Sequence, residues 1–251
     1  MSMTFADHFS SLAKQYAEFR PTYPDALFSW LSDIAPHHAL AWDCACGNGQ
    51  ASYGLAPFFD KVVATDASKD QLQLARQHSK IEYRLATAEH SGLPANSVDL
   101  VSVAQAVHWF DLDAFYKEVR RVTKPGSILV LWTYEFFSME DKAIENHLRD
   151  FYENTLGPYW PAERSCVKNH YTTLPFPFVN EITPPHFQQT LSWSRHHLIG
   201  YLSSWSAVKK YKMTNGIDPV QELEKKLIPL WEDPQVSKSI VMPIHMRVAR
   251  I

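Results

Sequence analysis

Leu40-Ala-Trp-Asp43-Cys-Ala-Cys46-Gly47-Asn-Gly49-Gln50 is the stretch that decides the fold. Leu40 to Ala45 reads as a short apolar strand carrying one acid, Asp43. Gly47 and Gly49 remove side chains where that strand must turn into a helix. Glycine tolerates positive φ and lets a ligand approach the backbone closely. A glycine turn at a helix N-terminus also offers free N–H groups to a carboxylate or phosphate. A second apolar run, Lys61-Val-Val-Ala-Thr-Asp66, again ends in an acid. An acid at the tip of the second strand suits the hydroxyls of a ribose. Together the two point to a nucleoside cofactor.

The loop Gly47-Asn48-Gly49-Gln50-Ala51-Ser52 lacks the third glycine of a dinucleotide fingerprint. Taken alone, Gly-x-Gly serves a plain turn equally well. With Asp43 ahead of it, the stretch resembles the first motif of the class I S-adenosylmethionine-dependent methyltransferases: an acid, small residues, then Gly-x-Gly. The resemblance implies that the loop, with Asp43, Cys46, Gly47 and Gly49, lies along the methionine part of S-adenosylmethionine, and that Asp66 holds the ribose hydroxyls.

Further landmarks follow in the family's order. Ile81 to Ala86 reads as a third strand, and the turn-rich Ala86 to Pro94 comes next. By resemblance Ala88 and Glu89 contact the adenine; an ordinary surface acid is the lesser alternative for Glu89. Val98 to Ala106 is nearly continuous apolar sequence, as a central parallel strand buried on both faces should be. It runs into Gln105-Ala-Val-His108-Trp109-Phe-Asp111. In open α/β sheets the ligand crevice lies beyond the strands' carboxyl ends, at the switch point. Gln105, His108 and Trp109 therefore fall where cofactor meets substrate. This string is similar to that of a small-molecule branch of the family, whose members include enzymes that esterify carboxylic acids such as trans-aconitate. It is not the Asp/Asn-Pro-Pro-Tyr motif of nucleobase amino-methyltransferases. Leu112 to Val122 has helical spacing, and Thr123-Lys-Pro-Gly126 leads into the fifth strand, Ser127 to Trp132.

Upstream, Phe5 to Phe19 and Asp25 to Ile34 read as helices separated by Arg20-Pro-Thr-Tyr23-Pro. Residues 1–39 are expected to form a helical lid. The segment Tyr16 to Pro24 resembles one in the same branch, which implies that Arg20 and Tyr23 reach the cofactor or a substrate carboxylate through fixed, charge-assisted contacts. A role for Arg20 in capping a loop remains the alternative.

Residues 40–135 are then the cofactor-binding core and 136–251 the substrate cover and closing strands of one 251-residue domain. Helices are expected at Glu140 to Thr155, His197 to Val208 and Val220 to Trp231, with strands at Phe187 to Trp193 and from Ile240 onward. The expected fold is α/β and Rossmann-like. It has a mostly parallel seven-stranded sheet, an antiparallel final strand and a helical and loop cover, with Phe187–Trp193 pairing Ile244–Arg250.

The net charge of −3 and the absence of long Lys/Arg blocks argue against a nucleic-acid partner. No run of eighteen apolar residues spans a membrane. The 3 cysteines, an odd count without a signal peptide, favour a reducing compartment, so a cytoplasmic protein is expected. The 12 histidines show no metal-ligand spacing, and no metal is expected.

Methyl transfer from a sulfonium needs geometry and dryness more than a triad. Trp160, Phe176, Phe178, Trp193 and Trp205 suggest an apolar-walled pocket for a small molecule, with Tyr23, His108, Trp109 and Trp205 as substrate contacts. A carboxylate acceptor is already ionised at neutral pH and needs an orienting cation, with Arg20, Arg195 and Lys209 as candidates. A hydroxyl or thiol would need His108 as base. The rival readings are a cofactor-binding module without turnover and a nicotinamide-dependent oxidoreductase.

Overall fold

A computed structural model describes residues 19–251 apart from Glu135 and Glu232. The helix expected from Phe5 lies outside the described residues, as does nearly all of the sequence before Arg20.

The parallel strands are β1 (Leu40–Cys44), β2 (Lys61–Asp66), β3 (Ile81–Leu85), β4 (Val98–Ala104) and β5 (Thr123–Thr133). The long β8 (Lys238–Arg250) runs antiparallel to β5, from Ile128 against Arg250 to Thr133 against His245. The order is β3-β2-β1-β4-β5-β8, so the chain reverses its direction of travel between β1 and β4. The crevice of an open α/β sheet opens at that reversal, beyond Cys44 and Ala104.

Side chains alternate across the sheet, and each face buries its own core. Leu100, Ile128, Val130 and Trp132 point to one face, where they meet α1 (Asp25–Ile34) and α2 (Gln50–Leu55). Val101, Val103, Leu129 and Leu131 point to the other, against Phe115, Val119 and Val122 of α4 (Leu112–Val122). This period-two division is what pleated strands covered on both faces require. Gly54 lets α1 and α2 close together, because a Cβ there would fall 2.0 Å from a ring carbon of Phe28.

Among the described residues the sheet has eight strands rather than the seven expected. The addition is β6 (Ser138–Met139), which pairs with Val241 and Ile240. The hairpin register also differs from expectation: β7 (Phe187–Trp193) pairs with Lys238–Ile244, not Ile244–Arg250. The reason is length. The thirteen residues of β8 serve β7 and β6 with their first half and β5 with their second.

Helix α3 (Lys69–Gln73) is capped by Ser68. Helix α5 (Lys142–Asp150), capped by Asp141, continues as a π turn to Thr155, within the expected span. A short helix α6 (Arg164–Lys168) follows in the cover. The helix expected over His197 to Val208 is two: α7 (Arg195–Ser203) and α8 (Ser206–Asn215). Between them Ser204 Oγ donates to the Tyr201 carbonyl at 2.6 Å, and Trp205 takes an extended backbone (φ −77°, ψ 136°). Side-chain capture of a helix carbonyl competes with continuation of the helix. Helix α9 (Pro219–Trp231) completes the cover. No helix among the described residues is long and apolar enough to cross a membrane.

Candidate active site

The glycine loop and the acid of β2 form one hydrogen-bonded unit. Gly47 N–H donates to Asp66 Oδ2 at 2.8 Å, and Ser68 N–H donates to Asp66 Oδ1 at 2.7 Å. A carboxylate has about four lone-pair positions, so its two oxygens can accept from several donors at once. Cys46 N–H bonds the Thr65 carbonyl at 2.9 Å, which fastens the loop to β2. Gly49 is αL, with φ +88°, and starts α2. A Cβ on it would lie 2.2 Å from the Tyr83 hydroxyl, which donates to the Arg76 carbonyl. Both the backbone and the surroundings therefore demand glycine there. Ala45 is also left-handed, at φ +54°.

Asp43 stands beneath the loop, fully buried. It accepts from Ser52 Oγ of α2 at 2.5 Å and from Ser102 Oγ of β4 at 2.8 Å. Burial pushes its carboxyl up to about 6, against the opposing pull of those hydroxyls. The acid ties β1, α2 and β4 together at the switch point.

Among the described residues two buried acceptors at the loop have no protein partner, Asn48 Oδ1 and Gln71 Oε1. The Gln71 oxygen lies 3.9 Å from where a Gly47 Cβ would be. Buried unpaired acceptors call for a donor. An ammonium and ribose hydroxyls are such donors, so the loop fits a nucleoside amino acid. Ala88 is buried in the core between sheet and α4. Glu89 accepts from Asp111 N–H at 3.2 Å, which places it against the turn that caps α4.

A cavity of about 70 Å³ opens past β4 and β5. Gln105, His108, Trp109 and Trp205, all expected from sequence, line it together with Arg20. Gln105 holds a left-handed backbone, φ +58°. Its amide donates to the Tyr134 carbonyl at 2.8 Å, and its oxygen accepts from Thr133 at 2.9 Å. Such strain persists where surrounding bonds over-determine it, and it clusters at functional sites. Arg20 Nε donates to Ser204 at 3.2 Å, and its guanidinium lies 5.2 Å from the Tyr201 ring centre. Its carbonyl accepts from Gln50 Nε2 at 3.4 Å, so Arg20 joins the cavity to the first residue of α2. Tyr23 stands one layer back: it is buried edge-on against Trp132 and near Tyr134, which lines the cavity.

Arg164, not among the sequence candidates, is a second guanidinium on the cavity wall. It lies 4.8 Å from the Trp160 ring centre, and its Nε donates to Tyr152 OH at 3.4 Å. The three-residue proximity of Trp160, Pro161 and Arg164 was the available signal, but nothing local shows which way that loop folds. Arg195 instead faces Glu224 at 3.7 Å, and Lys209 is not among the lining residues. Of the expected aromatics, Trp160 and Trp205 reach the cavity, with ring centres 5.5 Å apart. Phe176 and Phe178 pack on Tyr116 at the opposite face of the sheet, and Trp193 packs behind Tyr201.

His108 Nδ1 is 3.0 Å from Tyr171 OH. Burial, with the nearby Arg164 charge, pushes the imidazole down to about 3, so it is neutral at physiological pH. No cluster of three or more His, Cys, Asp or Glu suited to a metal occurs among the described residues.

Residues 42–131 match the family model described as a methyltransferase domain. A Dictyostelium discoideum protein named as a methyltransferase is 33% identical over 252 aligned residues, covering 98% of this chain and 95% of its own. A solved structure from Anaeromyxobacter dehalogenans, described as a type II methyltransferase, superposes with a TM-score of 0.85 and 41% identity over 92% of this chain and 98% of its own. The malonyl-[acyl-carrier protein] O-methyltransferase of Yersinia pestis is 31% identical over 62% of this chain and 51% of its own. The reversal of strand order, the glycine loop bonded to Asp66 and the likenesses to the Dictyostelium discoideum and Anaeromyxobacter dehalogenans proteins converge: the chain belongs to the class I S-adenosylmethionine-dependent methyltransferases, with S-adenosylmethionine as cofactor.

Proposed function

We propose that the protein transfers the methyl group of S-adenosylmethionine to a carboxylate oxygen of a small acid. The observation that carries this reading is the pair of guanidiniums, Arg20 and Arg164, in an aromatic-walled cavity whose histidine is neutral. Arginine forks fix a carboxylate in one orientation, and a carboxylate needs no base to become nucleophilic. A hydroxyl or thiol acceptor would need a base near pH 7, and a histidine pushed down to about 3 is poorly matched to that task. The name of the Yersinia pestis relative, which gives a malonyl-bearing acceptor and oxygen as the methylated atom, agrees with this class.

When bound, the cofactor supplies an electrophilic methyl group and its own leaving group. On this reading Asp66 accepts the ribose hydroxyls, and Asn48 and Gln71 accept donors of the methionine end. Asp43 holds the loop from below, while Cys46, Gly47 and Gly49 shape it. Ala88 and Glu89 flank the adenine. Gln105, pinned between β4 and β5, sets the boundary between cofactor and acceptor. Arg20 and Arg164 aim the acceptor carboxylate, and Trp109, Trp160 and Trp205 exclude water around it. Exclusion of water strengthens every charge interaction inside the cavity.

The test is methyl-group counting with labelled cofactor on a panel of small mono- and dicarboxylic acids, phenols and thiols. Base-labile methyl ester from an acid is the expected product. Turnover confined to phenols or thiols would overturn the carboxylate reading. Cofactor binding without turnover on any class would favour a module that binds and does not react.

A further inference from the structure

His170 and Tyr171, between α6 and β7, both have left-handed backbones, at φ +52° and +60°. Left-handed backbone is uncommon for a residue with a side chain and a genuine outlier for a bulky one such as Tyr171, so it persists only where its surroundings hold it. The strain is held in place from across the sheet. Arg247 of β8 donates from Nη1 to the Leu174 carbonyl at 2.9 Å and lies within 3.5 Å of the Tyr171 carbonyl. Arg247 is itself paired with Glu181 at 2.8 Å. The His170 ring lies flat on His245, with centres 3.5 Å apart.

This strained turn brings Tyr171 to His108. Tyr171 is fully buried, and its hydroxyl sits 3.0 Å from His108 Nδ1. His108 itself lines the acceptor cavity. Among the described residues Nε2 of His108 has no hydrogen-bond partner, and it is not among the buried unpaired atoms. One ring nitrogen is thus engaged by the protein and the other is open.

We propose that Tyr171 is a positioning residue: its phenol donates to His108 Nδ1 and so holds the neutral imidazole as the tautomer whose Nε2–H faces the acceptor. The hydrogen bond at one ring nitrogen decides which nitrogen carries the proton. A phenol O–H is a strong donor, and the bare imidazole nitrogen is a strong acceptor. The proton is therefore left on Nε2, where it gives a neutral donor to an anionic acceptor beside the guanidiniums. His108 on this account binds and orients and takes no proton. The donor role toward an acid rests on the proposed function; the tautomer does not.

The experiment is 15N–1H NMR of ring-labelled histidine in the full chain without acceptor, with His108 assigned by its loss in His108→Gln. Wild-type His108 is expected to show an unprotonated Nδ1 and a protonated Nε2, unchanged between pH 6 and 8. Tyr171→Phe, with an intact fold by circular dichroism, is expected to move both nitrogens toward averaged values as the tautomers mix. A protonated Nδ1 in the wild type would overturn the proposal, and so would an unchanged spectrum in the variant. If Tyr171→Phe does not fold, the wild-type spectrum alone decides. If no acid is methylated while the spectrum is as expected, the acceptor class falls and the positioning role stands.

Discussion

Gly47 and Asp66 share a hydrogen bond of 2.8 Å, from the loop amide to the carboxylate that ends β2. The glycine loop and the candidate ribose acid therefore move together, and damage to either reaches both. Asp66→Ala is expected to weaken S-adenosylhomocysteine binding by about 1–3 kcal/mol, and to lower stability by about 1–2 kcal/mol because the Gly47 and Ser68 amides lose their acceptor. Calorimetric titration and urea unfolding measure the two losses. Unchanged affinity with reduced stability would make Asp66 a loop brace only.

Gly49 allows a graded test of the loop. Gly49→Ala places a methyl group against the Tyr83 hydroxyl and forces a left-handed alanine, a strain of about 1–2 kcal/mol before the clash. Cofactor affinity is expected to collapse. Adding Tyr83→Phe removes the atom at 2.2 Å and should restore part of it. A double variant no better than the single one would show that the backbone, not the hydroxyl, sets the requirement.

Asp43 makes stability depend on pH in an unusual direction. Its folded carboxyl titrates near 6, above the ordinary 3.8, so the folded chain binds the extra proton between those values. The stabilising effect of that proton is present at low pH and is lost as pH rises through about 6, a change of order 3 kcal/mol. The stability difference between Asp43→Asn and wild type should therefore shift in favour of asparagine from pH 4 to pH 7. Urea melts at both pH values check it; a flat difference would mean that Asp43 does not titrate in this window.

Arg164→Gln should raise KM for the acid acceptor roughly 10–100-fold, the loss of one charge-assisted contact of about 1.5–3 kcal/mol. Affinity for S-adenosylhomocysteine should be unchanged, because Arg164 lines the cavity past β4 and β5 rather than the glycine loop. Steady-state kinetics beside a binding titration separate the effects. An equal loss of cofactor affinity would move Arg164 to the cofactor.

His108→Gln retains a side-chain N–H at the cavity wall. With a carboxylate acceptor kcat should fall by less than about 10-fold, whereas removal of a general base costs about 10²–10⁴. Single-turnover rates read the difference directly.

What the sequence alone determined lies at the ends of strands. A strand's apolar run, the glycines after it and the acid at its tip are local features, read by the backbone within a few residues. Asp43, Gly47, Gly49, Asp66 and Gln105 were legible for that reason, as were α1, after the proline-containing break at Arg20 to Pro24, and α4, ahead of the Thr123 to Gly126 turn. Arg164, Tyr171 and the division of β8 between β7 and β5 were not. Each depends on chain segments far apart in sequence meeting on one side of the sheet: Tyr171 is 63 positions from His108. No local periodicity encodes which loop packs over the crevice, because that choice is made by the summed burial of the whole cover. Tertiary packing decided which cations line the cavity and which nitrogen of His108 meets Tyr171.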